Sequence, residues 1–170
     1  MSETFIKRIA CIVTALFPTL WGVFSFFNNV SDFKGTVENA VAPLLSMHDT
    51  YGISGETWRA ITVGWAPYIG LGVITALETT AGLLALVGVM KMVFNLCGDY
   101  AAFSKGKAWA MAGALAAISV WGLGFMVVAG DWFMAWQAKT NPLATQLGAM
   151  IYTLPCFLTL IFLALHHERT

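Results

Sequence analysis

The sequence predicts an all-α fold, a bundle of four transmembrane helices with both termini in the cytoplasm and a long first outer loop. Of the 170 residues, 58% are hydrophobic and only 11% are charged, whereas soluble domains carry about 25% charged residues. Charge-free windows long enough to cross a bilayer recur along the chain. Most of the basic residues fall on one side of these windows. The solvent of this protein is therefore predicted to be lipid.

The charge-free windows give the positions of the helices. A hydrocarbon core about 30 Å thick needs about 20 apolar residues per helix. We predict a single integral membrane domain over residues 1–170 with four helices, near residues 9–27, 65–90, 108–130 and 147–165. The first window follows Lys7 and Arg8, as a signal peptide would. Its apolar run is longer than that of a signal peptide and no A-x-A site follows, so we expect it to remain as an anchor.

The distribution of basic residues predicts the orientation. Six of the nine Lys and Arg residues lie in the two tails and in the loop 91–107. The positive-inside rule places these segments in the cytoplasm. The outer side then has a long loop, 28–64, and a shorter one, 131–146, and the first is expected to contain a short interfacial helix over residues 36–45.

A carboxylate, Glu78, interrupts the apolar run of the second predicted helix close to its midpoint. At 100° per residue, one helix face gathers Glu78 and mostly small residues, and the opposite face gathers larger ones. The face of Glu78 holds Leu71, Ile74, Thr75, Ala81, Gly82 and Ala85. Small residues let a neighbouring helix approach closely in lipid, so Glu78 is predicted to point into the bundle.

Hydrogen-bond donors at a similar depth are Ser119 and Trp121 in the third predicted helix and Trp21 in the first. No Lys, Arg or His lies at that depth. We therefore expect a neutral acid that shares a hydrogen bond with Ser119, Trp21 or Trp121. Two roles stay open at this point: a structural link between helices, or a functional carboxyl group that carries a proton or contacts a bound lipid or quinone-like ligand.

Charged residues mark the outer ends of three predicted helices. Arg59 precedes the second helix, and Asp32 and Asp131 follow the first and third. An ion pair among them is expected to fix the outer rim of the bundle. An anion site at Arg59 is the alternative.

Aromatic residues follow the third predicted helix in the sequence GDWFMAWQ, residues 130–137. Trp132 and Trp136 are typical of an aromatic belt at the membrane interface. The alternative is a lid over the outer end of the bundle, with Asp131 and Gln137 as its polar handles.

Several classes of function are not expected. With a net charge of zero and no basic cluster, nucleic acid is excluded as a partner. Haem b held between histidines is not expected, because His48, His166 and His167 all lie outside the predicted helices. The cysteine spacing predicts no metal site, and no cofactor is predicted. Without a nucleophile–base pair or a phosphate-binding loop, an enzyme acting alone is not expected.

Six segments resemble a family of bacterial small integral membrane proteins that has four predicted transmembrane helices and no known activity. They are NNVSDF at 28–33, SMHDT at 46–50, WRAI at 58–61, ALETTAGLL at 76–84, the pair Lys105 and Lys107, and GFMVVAGDWFMAWQ at 124–137. The resemblance covers nearly the whole chain and implies a multi-pass protein of the bacterial inner membrane. The most specific part is the pattern G-x-W-F-x-x-W-Q at 130–137.

The chain departs from the family pattern at three places. It reads TNPLATQ at 140–146, it carries His48 within SMHDT, and it reads WAPYIG at 65–70, where family members tend to have a histidine. No ligand role of that histidine is transferred to this chain.

The leading hypothesis for function is an accessory or scaffolding subunit that packs against a larger membrane complex or against copies of itself. It rests on the lack of catalytic motifs and on small-residue helix faces, namely Gly82 with Ala85 and Gly113 with Ala117. The alternative is a lipid- or quinone-like small-molecule binder that uses the carboxyl group of Glu78. A stand-alone transporter or channel is a weaker alternative, since the spans hold one charge and no repeat is present.

Overall fold

The computed structural model describes residues 2–139 and 143–168. Four of its helices are long and apolar enough to cross a membrane. The first span is Glu3–Ser31, the second Ala66–Phe94, the third Tyr100–Trp132 and the fourth Ala144–Leu165. The predicted four-helix membrane bundle is thereby confirmed. The helices extend beyond the charge-free windows because those windows mark only the part that lipid can cover.

Polar caps set the ends of the helices. Ser2 accepts a hydrogen bond from the backbone N–H of Phe5 (3.2 Å) at the start of the first span. Asp99 accepts one from the N–H of Ala102 (2.8 Å) at the start of the third. These oxygens satisfy N–H groups that have no partner within the helix. The second span begins with Pro67 in its first turn, where a missing N–H costs nothing.

The third span changes its winding halfway. It is α-helical over Tyr100–Ile118 and continues with wider, i→i+5 turns over Ser119–Trp132. Its last such hydrogen bond runs from the N–H of Phe133 to the carbonyl of Val128 (3.0 Å). A helix face assigned from the α-helical period of 100° per residue therefore does not apply beyond Ile118.

The spans pack in a ring, in which the second lies between the first and the third and the fourth contacts the third and the first. Glycines permit the closest approaches. A Cβ atom on Gly22 would lie 2.6 Å from the Cα of Gly82, and one on Gly113 would lie 2.5 Å from the backbone N of Ala85. The small-residue faces that were one ground for expecting a partner are therefore packed within the chain: the close neighbours of Gly82, Ala85 and Gly113 belong to other spans, and Ala117 is buried as well. The inward orientation predicted for Gly82 and Ala85 is confirmed.

The two ends of the bundle differ in content. At one end, here called the terminal end, Arg8, Lys107 and His166 bring together three spans. At the other, the loop end, residues 33–45 form consecutive helical turns, so the short helix predicted over 36–45 is confirmed. This segment packs Val37 and Val41 on Leu71 of the second span. The side of the membrane that each end faces stays a prediction, and Arg169, which was counted for it, lies outside the described residues.

Candidate functional site

Glu78 lies inside the bundle, as its small-residue face predicted. Its residue surface is 3% exposed. The carboxylate atom Oε2 accepts a hydrogen bond of 2.8 Å from the amide nitrogen Nδ2 of Asn29. Asn29 belongs to the last turn of the first span. The contact thus joins the first and second spans through one side-chain hydrogen bond.

The direction of helical side chains explains why Asn29 is the partner. In an α-helix the Cα–Cβ bond leans toward the N-terminus, and the N-terminus of the second span is at the loop end. The carboxylate of Glu78 therefore points from the middle of the second span toward the loop end. Asn29 lies in that direction, seven residues or about 10 Å along the first span from Gly22, where the two helices cross. Backbone depth alone does not predict Asn29 as the partner, although its amide in NNVSDF is a visible signal.

The three predicted partners lie elsewhere. The hydroxyl of Ser119 donates to the carbonyl of Leu115 (3.0 Å), and Ser119 is exposed. Trp21 and Trp121 pack edge to face, with 5.4 Å between their ring centroids, and both contact Tyr152 of the fourth span. Among the described residues, the indole Nε1 of Trp21 is buried without a hydrogen-bond partner. The expected hydrogen bond from these residues to Glu78 is thus replaced by the one from Asn29.

The pair of Glu78 and Asn29 has limited chemistry. A carboxyl group can take up or release a proton, but the amide of Asn29 does neither at ordinary pH. The hydrogen bond therefore holds two helices together and does not by itself extend a path for protons. Its location, near the middle of a span and buried, is the kind of position where intramembrane polar groups contribute to helix association.

At the loop end, Arg59 has a different partner from the predicted one. Its Nε donates to the carbonyl of Glu56 (3.2 Å), and its guanidinium carbon lies 5.3 Å from the ring centroid of Trp132. Within residues 2–139 and 143–168, Arg59 forms no ion pair with Asp32 or Asp131. Asp32 instead caps the next helix by accepting from the N–H of Gly35 (2.9 Å). The expected ion pair at the rim is corrected to a cation–π contact.

Gln137 ties the two loops of this end together. It is 1% exposed, and its amide nitrogen donates to Oε2 of Glu56 (2.8 Å). Its amide oxygen accepts from the backbone N–H of Tyr51 (3.3 Å). A further backbone bond runs from the N–H of Lys139 to the carbonyl of Asp49 (3.1 Å). Residues 49–56 and 137–139 are therefore fixed to each other.

Two aromatic pairs join the same two regions of the loop end. Trp58 meets Trp132 edge to face at 5.8 Å, and Tyr51 meets Trp136 in the same way at 6.0 Å. All four rings remain partly exposed. Asp131 is exposed as well. Of the two predicted polar handles, Asp131 and Gln137, it is therefore Gln137 that forms contacts inside the protein.

The terminal end contains a buried network of charges that sequence analysis did not assign. Arg8 donates through Nε and Nη2 to the two carboxylate oxygens of Glu168, each at 2.7 Å. Its Nη1 donates to three backbone carbonyls, those of Asn95, Leu96 and Gly98, at 3.1, 3.0 and 2.7 Å. Arg8 therefore connects the first span, the turn after the second, and the segment after the fourth. The signal in the sequence was its position one turn before Cys11 on the buried face of the first span.

Lys107 and His166 continue this network. The ammonium group of Lys107 donates to the backbone carbonyl of His166 and to the hydroxyl of Tyr100 (3.2 Å). Tyr100 also donates to the carbonyl of His166 (2.9 Å). Burial, together with the nearby charge of Lys107, lowers the pKa of His166 below its ordinary value. The hydrogen bond from Arg8 lowers the pKa of the Glu168 carboxyl.

No cluster of three or more His, Cys, Asp or Glu side chains able to hold a metal ion is found in residues 2–139 and 143–168. Searches of curated proteins and of solved structures each find no match to the chain. A family described as "Predicted small integral membrane protein (DUF2165)" matches residues 7–166. This match includes the second, third and fourth spans and all of the first span except its first four residues. The chain therefore belongs to the DUF2165 family of predicted small integral membrane proteins.

Proposed function

We propose that this protein is an accessory or scaffolding subunit of the bacterial inner membrane, with both termini in the cytoplasm, that binds a larger membrane complex or further copies of itself. The surface proposed to bind the partner is here called the loop-end aromatic surface. It consists of Tyr51, Trp58, Arg59, Trp132 and Trp136. The observation that carries the proposal is the pair of exposed aromatic contacts between the two segments that the buried Gln137 fixes to each other.

The composition of this surface supports a role in protein binding. Residues that dominate binding energies at interfaces are mainly Trp, Tyr and Arg, and this surface consists of those three types. Trp58 is 72% exposed and Tyr51 is 61% exposed. Both are large apolar groups at the loop end that a partner can cover.

The rigidity of the surface supports the same role. Gln137 binds Glu56 and Tyr51, so the loops that hold the aromatic rings are already fixed. Binding then costs less ordering of loops and side chains. By contrast, the small-residue faces are filled within the chain, and the carboxylate of Glu78 is bonded to Asn29.

The proposal is tested by the size of the complex in mild detergent. The wild-type protein from native membranes should migrate on a native gel in a species larger than one chain. The double variant Trp58→Ala, Trp132→Ala should weaken the association about 30-fold or more, since hot-spot residues contribute about 2 kcal/mol or more.

Trp65→Ala is the matched control, because Trp65 is 64% exposed at the start of the second span and belongs to neither aromatic pair. It should leave the larger species intact. A wild-type chain that migrates alone as a monomer would refute the proposal. An equal loss with Trp65→Ala would assign these tryptophans to the lipid interface.

A second candidate is a binder of a lipid or quinone-like molecule inside the bundle. The observation in its favour is the buried Nε1 of Trp21, which has no partner in the part of the chain that the structure describes. An indole N–H is a donor only, so a carbonyl oxygen of a ligand would satisfy it. Trp21→Phe should then lower ligand retention and Glu78→Gln should lower it as well, if both groups contact the molecule. Unchanged retention in both variants would exclude this candidate.

A further inference from the structure

An open apolar groove of about 530 Å³ runs between the first and fourth spans in the terminal half of the bundle. It is lined by Thr14, Phe17, Pro155, Leu158, Thr159, Ile161, Phe162 and Leu165. The two threonine hydroxyls in this lining bind backbone carbonyls: Thr14 donates to Ala10, and Thr159 donates to Thr14 (2.9 Å). The groove therefore offers a ligand only apolar contacts.

The length of the groove matches one leaflet of a bilayer. From Pro155 to Leu165 the fourth span rises about 15 Å, and one leaflet is half of a hydrocarbon core about 30 Å thick. Beyond Phe17 the groove meets the aromatic cluster, in which Phe17 packs on Trp21 at 5.9 Å. A partner helix would cross both leaflets, whereas an acyl chain occupies one. The groove thus fits an acyl chain better than a helix.

Basic residues lie where the groove reaches the terminal end. Lys7 precedes Thr14 by two turns on the same face of the first span, and its side chain is 53% exposed. Its partner in the structure is Glu3, which is 81% exposed, and exposed pairs of this kind contribute little. His167 is exposed two residues after Leu165. Both side chains lie near enough to His166 to act on its pKa, so they share the end of the bundle that the groove reaches.

We propose that the groove holds one acyl chain of an anionic phospholipid, whose phosphate group binds Lys7 and His167. The ester carbonyl groups of the lipid then lie at the mouth of the groove near Leu165, and the acyl chain contacts Leu158, Ile161 and Phe162. This site is separate from the loop-end aromatic surface, so it does not rest on the scaffolding proposal. Basic groups at the end of an interhelical groove are the usual basis of recognition of anionic headgroups.

The test measures which lipid stays bound to the full-length protein. The protein is purified in detergent with equal amounts of phosphatidylglycerol and phosphatidylcholine that carry the same chains, and retained lipid is counted by native mass spectrometry. The wild-type protein should prefer phosphatidylglycerol about fivefold, the contribution of one lysine near the membrane surface. Lys7→Gln should remove this preference. Ile161→Trp, which fills the groove, should reduce the retention of both lipids.

The chain offers a matched control for each variant. Lys34 forms the same kind of exposed i,i+4 pair with Glu38 at the loop end, and Lys34→Gln should leave the preference intact. Leu154 is 52% exposed on the fourth span and does not line the groove, so Leu154→Trp should leave retention unchanged. Circular dichroism establishes that each variant is folded.

Three results would overturn the proposal. Equal retention of both lipids by the wild-type protein would mean that the groove takes bulk lipid without selection. Loss of preference in Lys34→Gln as large as in Lys7→Gln would mean that the charge acts at no particular site. Conversion of a dimer to a monomer by Ile161→Trp, with lipid retention unchanged, would assign the groove to a second copy of the chain.

Discussion

Two of the buried polar contacts that attach the first span to the rest of the bundle are built in opposite ways. At the terminal end, Arg8 forms a two-pronged ion pair with Glu168 and donates to three backbone carbonyls as well. Near the middle of the second span, Glu78 accepts from the neutral amide of Asn29 and, among the residues that the structure describes, forms no ion pair. Both Arg8 and Glu78 are almost fully buried.

Depth in the membrane accounts for this difference. An ionised group near the bilayer centre costs about 2.5 to 3.5 kcal/mol on insertion scales. At the end of a span, water and headgroups lower that cost, and a complete set of hydrogen bonds can stabilise a full charge. The bundle thus has an ion pair at its terminal end, whereas its middle has close backbone contacts and a hydrogen bond from a neutral amide.

The largest effect should come from breaking the ion pair. Arg8→Met leaves the carboxylate of Glu168 and three carbonyls without their donor. Removing one partner of a buried pair costs about 3 to 5 kcal/mol, and we expect a loss of that size in the free energy of unfolding, measured by denaturant titration in detergent micelles. Lys7→Gln, one residue away and exposed, is the control and should cost less than about 1 kcal/mol. Similar losses in the two variants would contradict the structural role of Arg8.

The next effect tests the close approach of the first and second spans. A Cβ on Gly22 would lie 2.5 Å from the carbonyl oxygen of Glu78, so Gly22→Ala forces the helices apart. Overpacking of this kind costs about 1 to 3 kcal/mol. Gly72→Ala on the second span is the matched control, since no atom lies within 4 Å of its added Cβ. It should be neutral or stabilising because alanine favours the helix. Equal destabilisation of both variants would show that the crossing is not tight.

A smaller effect should depend on pH through His166. Its pKa is lowered by burial and by Lys107 from an ordinary value of 6.5, so the unfolded chain takes up a proton at a higher pH than the folded chain. Above pH 6.5 His166 is neutral in both states and the free energy of unfolding has its full value. As the pH falls below 6.5, protonation of the unfolded chain lowers that free energy.

Thermal unfolding should thus occur at a lower temperature as the pH is lowered from about 7.5 to about 5.5. His166→Gln should reduce this dependence, whereas His48→Gln, an exposed histidine at the loop end, should leave it unchanged. A pH dependence that persists in His166→Gln would place its origin in another group.

The spans and the inward face of Glu78 were predictable from the sequence because each depends on local pattern. A charge-free window predicts a span, and a period of 100° per residue predicts a face. The prediction of Glu78 as buried depended on neighbours such as Ala81 and Gly82, which the structure also buries.

Contacts that join distant parts of the chain were not predictable in this way. The bonds from Asn29 to Glu78 and from Arg8 to Glu168 link residues 49 and 160 positions apart, and no periodicity encodes such a pairing. The prediction that Ser119 binds Glu78 was wrong for another reason, because the turns of the third span become wider at Ser119. A constant helical period cannot anticipate that change.

The hydrogen bond between the first and second spans should contribute modestly. Asn29→Leu removes the donor to Glu78, and side-chain hydrogen bonds between membrane helices average about 0.6 kcal/mol, with a maximum near 1.7 kcal/mol. We expect a loss in that range in the free energy of unfolding. Asn39→Leu is the control, because Asn39 is exposed and donates to the carbonyl of Gly35, four residues earlier in the same helical segment. A loss above about 3 kcal/mol would mean that Glu78 carries a full buried charge that depends on Asn29.

The smallest effect, Glu78→Gln, addresses the comparison most directly. If the middle of the bundle is fixed by a neutral hydrogen bond, a glutamine oxygen accepts from Asn29 as the carboxyl oxygen does, and the free energy of unfolding should change by less than about 0.5 kcal/mol. In the double variant Asn29→Leu, Glu78→Gln, the loss should equal that of Asn29→Leu alone. A gain of 2 kcal/mol or more in Glu78→Gln, about the cost of an ionised group at this depth, would instead mean that the protein maintains a charge there, and the two contacts of the first span would then be alike.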